Sequence, residues 1–327
     1  MIYYRNRYKC YIIAEIGVNH DGCIEKAKNL VDLAVSSGAN AVKFQSFYAE
    51  DLATADTPKV EYQLKTTGNK QSHFEMLKAL ELSVNDEAEI FNYCKSIGVN
   101  FISTPYSLAA VKQLEQLGVE EYKIASADIV DIPLLEAVAA TGKPVILSLG
   151  MASLGEIEVA LNCFSHYKDE DIVLLHCVSN YPCSDSSLNL NVIKTLNATF
   201  QLPIGFSDHS EGIVAAPTSL ALGACVIEKH FTSDKTLPGP DHRASIEPAE
   251  FKSLVENVRR VEKQLGHSKK EIQKEETTMA LVSRKSLVYS RDLKKGHILE
   301  RSDFSMKRPG TGLKWEYLEN LCGRKTL

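Results

Sequence analysis

The 327-residue sequence contains no C-x-x-C pair, no G-x-G-x-x-G after its first apolar run, and no apolar stretch long enough to span a membrane. Each absence removes a class of protein. The eight cysteines, at 10, 23, 94, 163, 177, 183, 225 and 322, lack the paired spacing of a zinc knuckle. Several lie in apolar runs, where a free thiol acts as a small hydrophobe, so a reducing, cytoplasmic setting is expected rather than a disulfide framework. The missing glycine fingerprint argues against a dinucleotide site. The longest low-polarity run, "AAPTSLALGACVI", is broken by Pro217 and falls short of the roughly 20 residues a spanning helix needs. The start, "MIYYRNRYKCYIIAEIG", has neither a long apolar core nor a small-residue cleavage site, so no signal peptide is expected. A net charge of -5 with acids and bases intermixed points away from nucleic-acid and membrane partners.

What is present is a repeated unit. At 44% hydrophobic and 24% charged, the chain has an ordinary globular composition. Its length suits one domain of about 250 residues plus a small one. Eight short apolar runs recur: "YIIAEI" (11–16), "NAVKFQ" (40–45), "NFISTP" (100–105), "EYKIAS" (121–126), "PVILSL" (144–149), "IVLLHC" (172–177), "LPIGFS" (202–207) and "CVIEKH" (225–230). Amphipathic segments such as 24–38, 107–118 and 155–167 separate them. Strands alternating with helices predict a parallel sheet, and eight units predict a closed (β/α)8 TIM barrel, with a doubly wound sheet as the alternative. The long gap 46–99 holds "TADTPKVEYQLKTTGNKQSH", expected to form an active-site loop. Residues 245–266 read as a capped helix, 267–282 as a charged linker, and 283–327 as a small β-rich domain with Lys-Gly and Pro-Gly turns. The domain plan is therefore a barrel over 1–266, the linker, and the small domain.

The run "VIEKH" begins as a buried strand and ends in charge. Buried charge costs several kcal/mol unless it is paired or metal-bound. The other runs end similarly, in Glu15, Lys43 and Gln45, Thr104, Lys123 and Ser126, Ser148, His176, Ser207 with Asp208 and His209, then Glu228 and His230. In a barrel these ends face one mouth. Lysines and hydroxyls around one mouth suit a phosphorylated, carboxylated anion. The competing reading is lysines that snorkel from strand ends to water. His209 and His230 follow adjacent strands about 4.8 Å apart, where two imidazoles can share one divalent metal and leave positions open. Glu228, on the same face, is placed to orient His230 or its water, and Lys229 falls on the other face. In "TLPGPDHRASIEP", Asp241 and Arg243 are candidates to contact a polyhydroxylated substrate, against the plainer reading of a solvated loop.

The stretches "IIAEIGVNHDG", "GANAVKFQSF", "FISTPYS", "YKIASADI", "LLHCVSNYP", "PIGFSDHSEG", "ALGACVIEKHFTSDKTLPGPDHRASIEP" and "KRPGTG", in this order across nearly the whole chain, resemble the sialic acid synthase family. The resemblance implies a condensation of phosphoenolpyruvate with an N-acylated amino sugar, giving a nine-carbon 2-keto-3-deoxy acid and phosphate. It implies a barrel followed by an antifreeze-like (SAF) domain, in a domain-swapped homodimer where Arg308 of "KRPGTG" reaches over the other subunit's mouth. It makes Lys43, Thr104, Lys123, Ser126, Ser148, Ser179 and Ser207 the phosphoenolpyruvate cradle. His209 and His230 become ligands of Mn2+ or Mg2+, with Co2+ also possible. Glu15, Gln45, Tyr181, Asp241 and Arg308 fall at acceptor-sugar or catalytic positions.

Three departures from the family pattern stand out. Leu149 replaces a threonine, so a hydroxyl near the phosphate is expected to be missing. Ser179 stands where some members have asparagine. The sequence stops at "LCGRKTL", roughly a dozen residues before a complete antifreeze-like core would be expected to close. N-acetylmannosamine is the first expected acceptor, making the chain an N-acetylneuraminate synthase. A 2,4-diacetamido-2,4,6-trideoxymannose, giving N,N'-diacetyllegionaminate, is the alternative. Two rivals of other kinds are a Schiff-base aldolase using Lys43 or Lys123, and a catalytically impaired sugar-binding remnant.

Overall fold

The computed structural model describes residues 9–54, 56–67 and 71–327. The eight apolar runs form strands β1 (Tyr11–Gly17), β2 (Ala41–Ser46), β3 (Asn100–Pro105), β4 (Tyr122–Ile124), β5 (Val145–Ser148), β6 (Ile172–Cys177), β7 (Ile204–Asp208) and β8 (Val226–His230). They pair in parallel in chain order, and β8 returns to β1 to close the barrel. The chain is thus a TIM barrel, and the doubly wound alternative is excluded. β4 is shorter than the expected 121–126 because Ser126–Val130 coils into a 3-10 turn. The helix expected over 155–167 runs only from Leu154 to Asn162.

Strand alternation explains how a short sequence repeat builds both a core and a site. Successive side chains point to opposite faces. On β1, Ile12, Ala14 and Ile16 join the large apolar cluster under the helices, while Tyr11 and Ile13 join a second cluster inside the barrel with Ile102, Ile146, Val173 and Leu175. The interior is therefore packed, not a pore.

Helix ends follow local chemistry. Ser72 and Glu75 form a reciprocal capping box at the helix His73–Leu80, as do Ser153 and Glu156 at Leu154–Asn162. Gly98 ends Val84–Ile97 in the left-handed conformation. Within the 46–99 gap, Ala49–Leu52, Glu61–Thr67, His73–Leu80 and Val84–Ile97 are helical. Residues 55 and 68–70 of the expected active-site loop lie outside the described residues.

The chain divides into two compact units, Met1–Gly266 and His267–Leu327. The stretch 267–282, read above as a linker, belongs to the second unit and carries most of a helix, Thr277–Ser283. That unit holds an antiparallel pair, β9 (Ser286–Tyr289) and β10 (Phe304–Lys307). Buried Asp303 ties it together: its carboxylate accepts from Arg291 Nη2 at 2.8 Å and Glu300 N–H at 2.9 Å, and pairs with His297 Nε2 at 2.7 Å. These partners hold its pKa well below the usual carboxylate range. No described helix is long and apolar enough to cross a membrane.

Candidate active site

At the C-terminal ends of the strands, the axis-facing positions turn from apolar to polar. Register sets the layout: Glu15 pairs with Lys43, Gln45 with Thr104, Lys123 with Ile146, and Ser207 with Glu228. Glu15, Lys43, Gln45, Lys123, Ser126, Ser148, Ser179, Tyr181, Ser207, His209, His230 and Asp241 all line one cavity of about 480 Å³. Thr104 meets it by accepting from Lys43 Nζ at 3.2 Å. Arg308 lies in the second unit and is exposed there.

The lysines do not snorkel. Lys43 and Lys123 are 4% and 2% exposed, so their charges are held by partners. Lys43 Nζ sits 2.7 Å from Glu15 Oε2 and 4.0 Å from Glu228 Oε2. Lys123 Nζ donates to Ser148 Oγ at 2.6 Å and lies 3.7 Å from Glu228 Oε1. Burial opposes the charge on Lys43, yet Glu15 and Glu228 outweigh it and keep its pKa above the ordinary lysine value. Burial prevails at Lys123 and lowers its pKa, with Glu228 opposing and Lys43 adding repulsion. Burial pushes Glu228 up, but Lys123 and Lys43 together hold it below the usual carboxylate value. Burial lifts Glu15 to about 7 despite Lys43, with Glu228 contributing. Gln45 Nε2 donates to Glu15 Oε1 at 2.8 Å. The result is two ammonium groups facing an anion-sized space, with one firmly ionised carboxylate between them and a second that titrates near neutrality.

Two glycines make room. Gly17 has φ +53, and a Cβ there would fall 2.8 Å from Glu15 Oε1. A Cβ at Gly150 would fall 2.2 Å from Ser179 Oγ, so the turn after β5 reaches the cradle only without a side chain. Its N–H donates to Ser126 Oγ at 2.9 Å.

The histidine rings meet as expected, with centroids 5.5 Å apart. Tyr181 covers both, at 4.1 Å from His209 and 5.2 Å from His230. The His209 Nδ1 lies 2.7 Å from the Val178 carbonyl, which accepts its proton and leaves the Nε2 lone pair facing the mouth. The Ser207 hydroxyl is 3.1 Å from that Nε2 and 2.9 Å from Glu228 Oε1, and its single proton serves only one of them. His230 Nδ1 has no hydrogen-bond partner among the described residues and lies 3.7 Å from Asp241 Oδ2. Burial lowers the His209 pKa to about 4 and the His230 pKa well below the usual value, where His209 adds to it. Two neutral imidazoles with under-used lone pairs fit a divalent ion. Among the described residues no group of three or more His, Cys, Asp or Glu side chains is arranged for one.

Several expectations need correcting. His176 faces the helices, stacked on Phe206, with Nε2 2.7 Å from the Leu188 carbonyl. Glu228 contacts Ser207 and the lysines rather than orienting His230. Leu149 is buried in the cluster beneath the helices, so its lost hydroxyl is not at the mouth. Arg243 is exposed and does not line the cavity. Two features escaped sequence reasoning. Cys177 Sγ lies 3.0 Å from Ser126 Oγ and 3.1 Å from Gly150 N; a solitary cysteine carries no spacing signal. The other side of the mouth is an apolar wall from Phe47, Met76, Leu77, Leu80 and Tyr106, signalled only by the apolar face of "HFEMLKAL".

Comparison with known proteins matches this arrangement to a family. An N,N'-diacetyllegionaminic acid synthase from Campylobacter jejuni is 43% identical over 97% of this chain and 95% of its own length. The enzyme of the same name from Legionella pneumophila is 42% identical over 97% of this chain and 90% of its own. The crystal structure of an N-acetylneuraminic acid synthetase from Leptospira borgpetersenii superposes with a TM-score of 0.73 at 38% identity, covering 84% of this chain and 90% of that one. A SAF domain model matches residues 284–327, and the NeuB family model matches residues 30–270, so the chain belongs to the NeuB family.

Proposed function

We propose that the protein condenses phosphoenolpyruvate with the open-chain form of an N-acylated amino sugar, releasing phosphate and a nine-carbon 2-keto-3-deoxy acid. The observation that carries this reading is the pair of buried ammonium groups, Lys43 and Lys123, facing the same cavity as the neutral histidine pair. A bond forms between phosphoenolpyruvate C3 and the acceptor aldehyde carbon. Water adds to C2, and phosphate leaves as the C2–O bond breaks. Lys43 and Lys123, with Ser126, Ser148, Ser179 and Ser207, bind the phosphate and carboxylate and stabilise charge on departure. Glu15, with a pKa near 7, moves or holds a proton at the acceptor, with Gln45 orienting it. A Mn2+ or Mg2+ ion held by His209 and His230 would supply Lewis-acid polarisation of the aldehyde oxygen.

For the acceptor, the two N,N'-diacetyllegionaminic acid synthases above favour 2,4-diacetamido-2,4,6-trideoxymannose over the N-acetylmannosamine expected first. The apolar wall opposite the cradle supports the same choice, since a deoxy carbon and a second acetamido methyl lose less there than a hydroxyl. The similarity to the Leptospira N-acetylneuraminic acid synthetase favours N-acetylmannosamine and keeps it as the second reading. A homodimer that brings Arg308 to another subunit's mouth, in the cytoplasm, completes the proposal; the exposure of Arg308 and eight unpaired thiols support it. The test is phosphate release from phosphoenolpyruvate with each sugar in turn. Release that strictly requires an amino sugar, faster with the diacetamido one, is expected. Release without sugar, none with either, or a lysine trapped by borohydride with pyruvate would overturn the synthase reading.

A further inference from the structure

Helix-facing positions of the barrel strands are mostly apolar, yet Asp208 on β7 and Lys229 on β8 place full charges there. The two are Cα partners in parallel register. Their side chains are completely buried, with Lys229 Nζ 3.0 Å from Asp208 Oδ2. Lys229 Nζ also donates to the Ser210 carbonyl at 2.5 Å. Asp208 Oδ1 accepts from the Ser210 N–H at 2.9 Å and from its hydroxyl at 2.6 Å. The pair therefore grips Ser210 from two sides and closes the backbone around His209, whose carbonyl is fixed by the Cys183 N–H at 2.9 Å. Each charge stands one residue before a histidine of the mouth.

A buried ion pair adds little net stability, but a broken one is costly, and setting register is its best-attested use. A one-residue slip of either strand would send its own charge to the wrong face and leave the other buried without its partner. We infer that the Asp208–Lys229 pair is the positioning device that fixes the spacing and aim of His209 and His230, and through them the affinity for a divalent ion. The inference rests on the proposed metal reading. Neither residue reaches the cavity, so both act through the strand ends.

Simple electrostatics makes the opposite forecast for one variant, which gives the test its edge. Removing the Lys229 cation without any positional effect would tighten dication binding. Mn2+ dissociation constants are measured by the electron paramagnetic resonance signal of free Mn2+ for the wild type, Lys229→Met, and the double variant Asp208→Asn with Lys229→Met. Circular dichroism melts run alongside, and binding is read well below each melting temperature. The expected result is folded variants that bind Mn2+ about 10–100-fold more weakly, the range for residues that orient metal ligands. If Lys229→Met does not fold, the charge-free double variant carries the test. A folded variant that binds as tightly as the wild type, or more tightly, overturns the inference, as does failure of both to fold, which assigns the pair to global stability. If the wild type itself binds no Mn2+, the metal reading falls and this one with it; a binding wild type with unchanged variants sinks the positioning role alone.

Discussion

The two ends of the barrel each bury a carboxyl whose pKa stands at about 7, and they use it differently. At the mouth, Glu15 lies 2.7 Å from Lys43 and lines a cavity. At the opposite end, Glu121 sits just before β4, and among the described residues its hydrogen-bond partner is neutral: the Tyr11 hydroxyl donates to its Oε1 at 2.8 Å, and Asn100 Nδ2 donates to that hydroxyl at 3.0 Å. Glu121 Oε2 has no hydrogen-bond partner among the described residues. Burial is the leading cause of both shifts. A perturbed pKa alone therefore does not mark a site; a cation and open space beside it do. The sharpest way to break this contrast is isosteric neutralisation at each end. Glu15→Gln should lower kcat by about 10²–10⁴, the usual worth of a positioned acid or base, while Glu121→Gln should leave kcat within about twofold, since it touches nothing that reacts. Amino-sugar-dependent phosphate release measures both, and equal losses would erase the distinction.

The mouth's second defining feature is its cations. Lys123→Met removes a charge that faces the cavity while Glu228 keeps Lys43 nearby. A loss of about 10²–10³ in kcat/KM for phosphoenolpyruvate is expected, comparable with deleting one preorganised charge-stabilising donor. A loss confined to the amino-sugar KM would move Lys123 from the phosphoenolpyruvate cradle to the acceptor side.

Much of this was legible in residues because the barrel writes its geometry as alternation. β3 and β6 lie at the expected positions, and the polar strand ends do converge on one cavity. Legibility stops where tertiary packing chooses between equivalent residues. In "GVEEYKI", Glu120 and Glu121 are indistinguishable by type, yet Glu120 is exposed and Glu121 buried. His176 sits near the end of its strand like the site residues, but on the other face. Glu228 was visible as a charge near the mouth; its place between two lysines depends on the β7–β8 register. The apolar wall depends on how the helix His73–Leu80 of the 46–99 gap is placed at the mouth beside Phe47 and Tyr106, which no local period encodes.

At the floor, the consequence of burial is stability rather than rate. A carboxyl held at about 7 in the folded state, against 4.5 ordinarily, keeps its proton longer when native than when unfolded. Stability is thus lost as pH rises from 4.5 through 7, and above 7 the native state bears a cost of about 3 kcal/mol. Glu121→Gln abolishes that titration. It should match the wild type near pH 4.5 and exceed its unfolding free energy by up to about 3 kcal/mol at pH 8, reduced by any unpaired amide N–H. Denaturant melts at the two pH values give the difference directly, and a pH-independent difference would show that Glu121 is not the titrating group.

The smallest change tests the floor's internal wiring. Tyr11→Phe removes the hydroxyl that donates to Glu121 and accepts from Asn100. Losing these two hydrogen bonds should cost about 1–3 kcal/mol near pH 5. That hydroxyl also favours the ionised carboxylate and restrains the upward shift. Without it the folded-state pKa climbs further from the unfolded value, so the deficit relative to the wild type should widen at pH 8 instead of staying flat. Turnover should not change, because the mouth is built from the other end of the same strands. A deficit that narrows with rising pH would mean the Tyr11 hydroxyl stabilises the neutral carboxyl, and the two ends would then differ less than their partners suggest.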